Sequence, residues 1–213
     1  MPSFNKIGIL GAGRAGTAIA RSAARSGIDV QIASTRSPRQ MRYHLLQYAP
    51  SASGVYAEDI AEDVEVVVLA VPQEDLDDVD PLWLDNTILI DATNRWDDEP
   101  LPAWLQNGLN SGLSSSEVIA EHFRSAIVVK AMNHISHWAM DAPRTEGLPA
   151  AGIAANDAAA AQKVADLLSA LGFEPVIADT LASGSNMEPG TRFFNVAASA
   201  EQLKGQLGDS ISY

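Results

Sequence analysis

The sequence predicts an α/β fold: a doubly wound, mostly parallel sheet with a small C-terminal cap. Three observations point there. Short Val- and Ile-rich runs with few polar interruptions alternate with helix-like stretches through the first 140 residues, and strands of that kind are covered on both faces. A glycine-rich turn joins the first apolar run to a small-residue helix. After residue 140 a Pro/Gly-rich loop, APRTEGLPAAG, leads into a strand–helix–strand pattern too short for a core of its own.

The elements follow in order. Lys6–Leu10 is the first strand, and Gly27 closes the helix after it. Asp29–Ala33 is the second strand. Ser37-Pro38 reads as an N-cap with proline in the first helical position. Val64–Val71, Thr87–Asp91 and Ala126–Met132 are further strands, and Ser114 with Glu117 reads as a capping box before VIAEHF. The C-terminal part offers a strand at Ala151–Ala155, a helix from Asp157 to about Leu171, and a strand at Phe173–Ala178. A last helix is expected after Gly190, carrying Phe193, Phe194 and Val196. The division is therefore residues 1–140, the doubly wound domain, and 141–213, a small part packed on it that could also meet a second subunit.

Composition narrows the function. The 213-residue chain has 14 Lys and Arg against 27 Asp and Glu, a net charge of −13. Such a balance argues against nucleic acid or a membrane surface as partner. The absence of cysteine removes disulfides, thiolate catalysis and zinc–thiolate sites. MPSFNKIGIL moves straight into strand-like sequence, so neither a signal peptide nor a membrane span is expected. A cytoplasmic enzyme fits these features.

The first strand ends in ILGAGRAGTAIA, where Gly11, Gly13 and Gly16 enclose Ala12, Arg14 and Ala15. Strand, G-x-G-x-x-G and helix in that order form the dinucleotide fingerprint of a Rossmann-type fold. Gly11 permits the turn, Gly13 lets a pyrophosphate approach, and Gly16 lets helix and strand pack. The helix N-terminus then offers free N–H groups to the phosphates.

An NAD site places a carboxylate at the end of the second strand, on the ribose 2′-hydroxyl. Here Ser34, Thr35 and Arg36 stand instead. Hydroxyls and a guanidinium suit a 2′-phosphate, so NADP is predicted over NAD. Residues 1–42 hold seven cations against Asp29 alone, a local charge of +6 in an acidic chain. Arg36 and Arg39 are the candidate phosphate partners, and Arg14 could reach the same phosphate. Arg21, Arg25 and Arg42 are expected on solvated helix faces.

Other strand ends supply the rest of the crevice: Ala70, Val71 and Pro72, then Asp91 to Asn94, then Asn133 and His134. Asn94, Asn133 and His134 are acceptor-side candidates. His134 and His137 could move protons, or each could be a partly buried hydrogen-bonding residue. No nucleophile–base constellation is visible, and no metal site is expected.

Beyond the glycine loop, the chain carries ASTR, LAVP, LIDATN, SSSEVIAEHF with AIVVKAMNHI, GIAANDAAAAQKVADLLSALGFEPVIAD and LASGSNMEP. In these segments it resembles the NADPH-dependent reductases of the deazaflavin coenzyme F420, the F420-dependent NADP oxidoreductases. The resemblance implies a usually dimeric Rossmann protein with NADP on Gly11–Gly16 and Ser34–Arg36 and deazaflavin across the crevice. Hydride would pass directly between the two rings, so side chains mainly position them. Two departures stand out: Thr35 separates the serine from the arginine, and His134 stands where a smaller threonine is common. Two alternatives stay open: an NADPH-dependent reductase of another acceptor, flavin or ferric chelate, and a non-catalytic NADPH-binding sensor.

Overall fold

The structure is a computed structural model that describes residues 5–96, 100–142 and 147–208. Residues 143–146 of the Pro/Gly-rich loop and 209–213 of the C-terminal part lie outside it.

Eight strands form one sheet: β1 (Lys6–Leu10), β2 (Asp29–Ala33), β3 (Ser53–Gly54), β4 (Val66–Leu69), β5 (Ile88–Asp91), β6 (Ile127–Ala131), β7 (Ala150–Ala155) and β8 (Glu174–Ala178). Their order is β3-β2-β1-β4-β5-β6-β7-β8. The first six are parallel, in the order of a Rossmann sheet. The order reverses at β1 and β4, and that reversal opens a crevice at their carboxyl ends.

The segment after residue 140, expected as a part packed on the sheet, also extends it. β7 runs antiparallel to β6, with Lys130 opposite Ala154, and β8 runs parallel to β7. All six residues of β7 are buried, which is why AAGIAA can be almost purely small and apolar.

Helices cover both faces. On one side α1 (Arg14–Arg25), α2 (Pro38–Tyr48) and α6 (Ala158–Ala170) pack their apolar residues, such as Ile19, Met41 and Leu168, against Ile7, Ile9 and Ile153. On the other, α4 (Ser115–His122), α3 (Ala103–Asn110) and two 3-10 turns after β4 enclose Leu69, Leu76 and Phe123. Both predicted starts are present: Ser37 forms a capping box with Gln40, and Ser114 forms one with Glu117.

Two expectations are corrected. The last helix, α7, spans Ala200–Gly208 and begins ten residues after Gly190. Asn195, at φ 57°, sits in the left-handed region and donates its N–H to the His134 carbonyl at 2.9 Å, so Phe193, Phe194 and Val196 lie in turns. Arg21 and Arg25 are not idle on a solvated face. Arg21 Nε and Arg25 Nη1 grip the Asp141 carboxylate at 3.0 and 2.6 Å, tying α1 to the short α5 (His137–Asp141). Arg42 is exposed as expected.

Candidate cofactor site

At the crevice the three glycines of the loop differ in what surrounds them. Gly11 has φ 120°, and a Cβ there would lie 2.3 Å from the Ala70 carbonyl oxygen. At Gly16 a Cβ would come to 1.9 Å from the Gly11 carbonyl oxygen, so helix α1 can reach the strand only with no side chain there. Gly13 has nothing within 4 Å of its virtual Cβ. It is the N-cap of α1 and provides no side-chain cap, so no capping side chain takes up the first-turn N–H groups.

A groove of about 360 Å³ runs from this loop along the ends of β1, β2 and β4. Gly11, Ala12, Gly13, Ser34, Thr35, Arg36, Ala70, Val71 and Pro72 all line it. Arg14, Ala15, Gly16 and Arg39 do not; Gly16 is buried, and Arg14, Ala15 and Arg39 are exposed. Ser34 is committed locally: its Oγ donates to Met41 Sδ at 2.9 Å and accepts the Arg36 N–H at 3.1 Å. Ser34 therefore shapes the loop, and the Arg36 guanidinium has no ion-pair partner among the described residues.

Sequence reading missed part of the wall. His44 lines the groove with its Nε2 2.7 Å from the Ala12 carbonyl. Asp75, Asp78 and Trp83, on the 3-10 turns after β4, close the far side. Only their position after the strand-ending Pro72 could have flagged them.

The ends of β5 and β6 form a different, buried assembly. Lys130 Nζ lies 3.1 Å from Asp91 Oδ2, 2.8 Å from the Thr93 carbonyl and 3.5 Å from Glu188 Oε1. Asp91 also accepts from the Thr93 N–H and hydroxyl, and from Ser116 at 2.6 Å. Gln73 donates to Thr93 Oγ1 at 2.9 Å. Asn133 Nδ2 donates to the Met187 carbonyl at 2.8 Å and to Asn94 Oδ1 at 3.1 Å, and Asn94 Nδ2 returns a bond to the Asn133 carbonyl. The structure thus brings Asn94 and Asn133 together, but Asn133 is buried and neither lines the groove.

His134 is buried too, and its Nε2 accepts the Gly152 N–H at 3.2 Å beside the β6–β7 ladder. Burial, then the nearby Lys130 charge, lowers its pKa to about 4. The ring is neutral at ordinary pH, and its Nε2 is occupied by the Gly152 N–H. His137 starts the exposed end of α5, ring to ring with Trp138.

Comparison with known proteins shows what the chain is similar to. Residues 6–95 match the family model described as NADP oxidoreductase, coenzyme F420-dependent. Over that stretch, less than half of the chain, the sequence is similar to this NADP oxidoreductase family. A solved structure of a hypothetical protein from Sinorhizobium meliloti is 28% identical, covering 92% of this chain and 95% of that one, with a TM-score of 0.78. A protein from Arthrobacter sp. FB24, provisionally named an F420-dependent NADP-reductase, shares the fold: 24% identity, 92% and 100% coverage, TM-score 0.72. Metalloreductase STEAP3 of Rattus norvegicus is 30% identical over 186 residues, 86% of this chain. The chain spans about a third of the length of that relative, 36%.

The groove suits a phosphorylated dinucleotide on local grounds. Open space over Gly13, an uncapped helix N-terminus and a free guanidinium at Arg36 are what a pyrophosphate and a 2′-phosphate require. No helix among the described residues is long and apolar enough to cross a membrane.

Proposed function

We propose that this protein transfers hydride between NADPH and the deazaflavin coenzyme F420. The observation that carries the reading is the end of β2. No carboxylate stands there, and Arg36 lines the groove beside Ser34 and Thr35, so a 2′-phosphate is attracted where an NAD site would repel it. Deazaflavin as acceptor is supported by the family description over residues 6–95 and by the later sequence segments.

NADP would lie along Gly11–Gly16 and Ser34–Arg36, with Ala70, Val71 and Pro72 leading toward the nicotinamide end. The deazaflavin would meet it beyond β5 and β6. When bound, the two rings supply the hydride chemistry themselves. The chain holds them at the right distance and keeps water away. Asn94 and Asn133, locked to one another and to Met187, give that wall its rigidity. Residues 1–140 would form the NADP domain and 141–213 the C-terminal part, in a cytoplasmic homodimer whose assembly sedimentation would measure.

A panel of acceptors tests the reading. Purified protein is expected to oxidise NADPH, followed by its absorbance, only when oxidised F420 is supplied. A second reading, reduction of a ferric chelate or flavin, is favoured by the likeness to a metalloreductase over 86% of the chain. Turnover with those acceptors and none with F420 would replace the first reading by the second. Tight NADPH binding with no turnover on any acceptor would indicate a sensor.

A further inference from the structure

His44 lies in the groove wall on α2, its Nε2 2.7 Å from the Ala12 carbonyl oxygen. A carbonyl only accepts, so Nε2 carries the hydrogen and donates it. Met41, three residues earlier, lies on the same helix face. Its Sδ accepts the Ser34 hydroxyl, and Ser34 Oγ in turn accepts the Arg36 N–H. One helix therefore holds two loops. Through His44 it fixes the glycine loop, and through Met41 and Ser34 it fixes the loop carrying Arg36. The capping box at Ser37 and Gln40 sets where that helix starts, and the Tyr48 ring, 4.8 Å from the imidazole, supports His44 from the next turn.

We propose that His44 is a positioning residue that sets the spacing between the glycine loop and the Arg36 loop, and thereby the preference for a 2′-phosphorylated dinucleotide. The proposal rests on the reading of the groove as an NADP site. A ligand that touches both loops gains both contacts in full only when their spacing is fixed before it arrives; otherwise ordering the loops opposes binding. NADPH spans both. NADH lacks the group for the Arg36 loop, and adenosine 2′-monophosphate lacks the pyrophosphate.

The test is equilibrium titration of wild type, H44F and H44Q with these three ligands. Phenylalanine keeps the ring and loses the donor. H44F is expected to weaken NADPH roughly fivefold, the worth of one ordinary hydrogen bond, and adenosine 2′-monophosphate and NADH less than about twofold. Glutamine can present an N–H to the Ala12 carbonyl, so H44Q is expected to recover most of the loss. Equal loss on all three ligands, no loss, or no recovery in H44Q would overturn the proposal. Should H44F not fold, H44N, too short to reach Ala12, replaces it with the same expectation. Wild type that does not prefer NADPH over NADH would overturn the NADP reading and this proposal together. Wild-type preference that H44F leaves intact would overturn this proposal alone.

Discussion

Gly13 and Gly16 sit three residues apart and lack side chains for opposite reasons. A methyl on Gly16 meets the Gly11 carbonyl at 1.9 Å, whereas one on Gly13 meets nothing within 4 Å. Gly16→Ala is therefore expected to cost stability, about 1–3 kcal/mol by overpacking, seen in the urea midpoint. Gly13→Ala is expected to cost less than about 1 kcal/mol and to weaken NADPH binding by at least roughly tenfold, because the methyl occupies the phosphate's place. Arg36→Ala should weaken NADPH by about 10- to 100-fold, the range of charge-assisted hydrogen bonds, and leave NADH nearly unchanged in the same titration. His134 makes a pH prediction. Its folded-state pKa of about 4 lies below the ordinary 6.5, so the unfolded chain binds more protons between those values. Stability is thus lost as pH falls from 6.5 toward 4, by up to roughly 3 kcal/mol from this group. The stability gap between wild type and His134→Gln should narrow by that amount across the window, as measured by urea unfolding.

Between elements, Lys130 is the main tie. It joins β6 to the end of β5 through Asp91 and Thr93, and to the C-terminal segment through Glu188. The 3-10 turn at Leu181–Met187 packs so closely that a Cβ on Gly184 would lie 2.8 Å from Lys130 Cγ. Lys130→Met leaves Asp91 buried without its cation, and is expected to cost about 3–5 kcal/mol. Hydrogen exchange should rise in β7 and α7 more than in β1 and α1. Elements with a local signature were legible in the sequence. The Val/Ile strands β1 and β2 match their predicted ends, and the capping residues Ser37 and Ser114 start the helices they predict. Elements without one were not. β3 is two residues, Ser53–Gly54, with no apolar pattern. α7 was displaced because Asn195 follows a distant carbonyl rather than its own neighbours. The groove shows the same division. Its glycines and Arg36 follow from spacing, whereas His44 enters only because α2 turns it toward Ala12.

Across the whole molecule charge is segregated. The first 42 residues carry +6 in a chain whose net charge is −13; Arg21 and Arg25 pair with Asp141, which leaves exposed Arg14, Arg36 and Arg39 as the basic focus on the glycine loop, the β2 end and the start of α2, with Asp75 and Asp78 on the far side of the groove. Such a focus draws a multiply charged anion and is screened by salt over a Debye length of about 10 Å at 0.1 M. NADPH affinity is therefore expected to fall with ionic strength more steeply than NADH affinity, which lacks the 2′-phosphate. The antiparallel β7 and parallel β8 lie at the far end of the same sheet from β2, so removing charge there should leave that salt dependence unchanged. The most direct test of the account is a pair of equilibrium titrations of the wild-type protein at low ionic strength, one with NADPH and one with NADH. NADPH is expected to bind at least roughly tenfold more tightly, the least that charge-assisted phosphate contacts supply; equal affinities, or binding of neither, would contradict it.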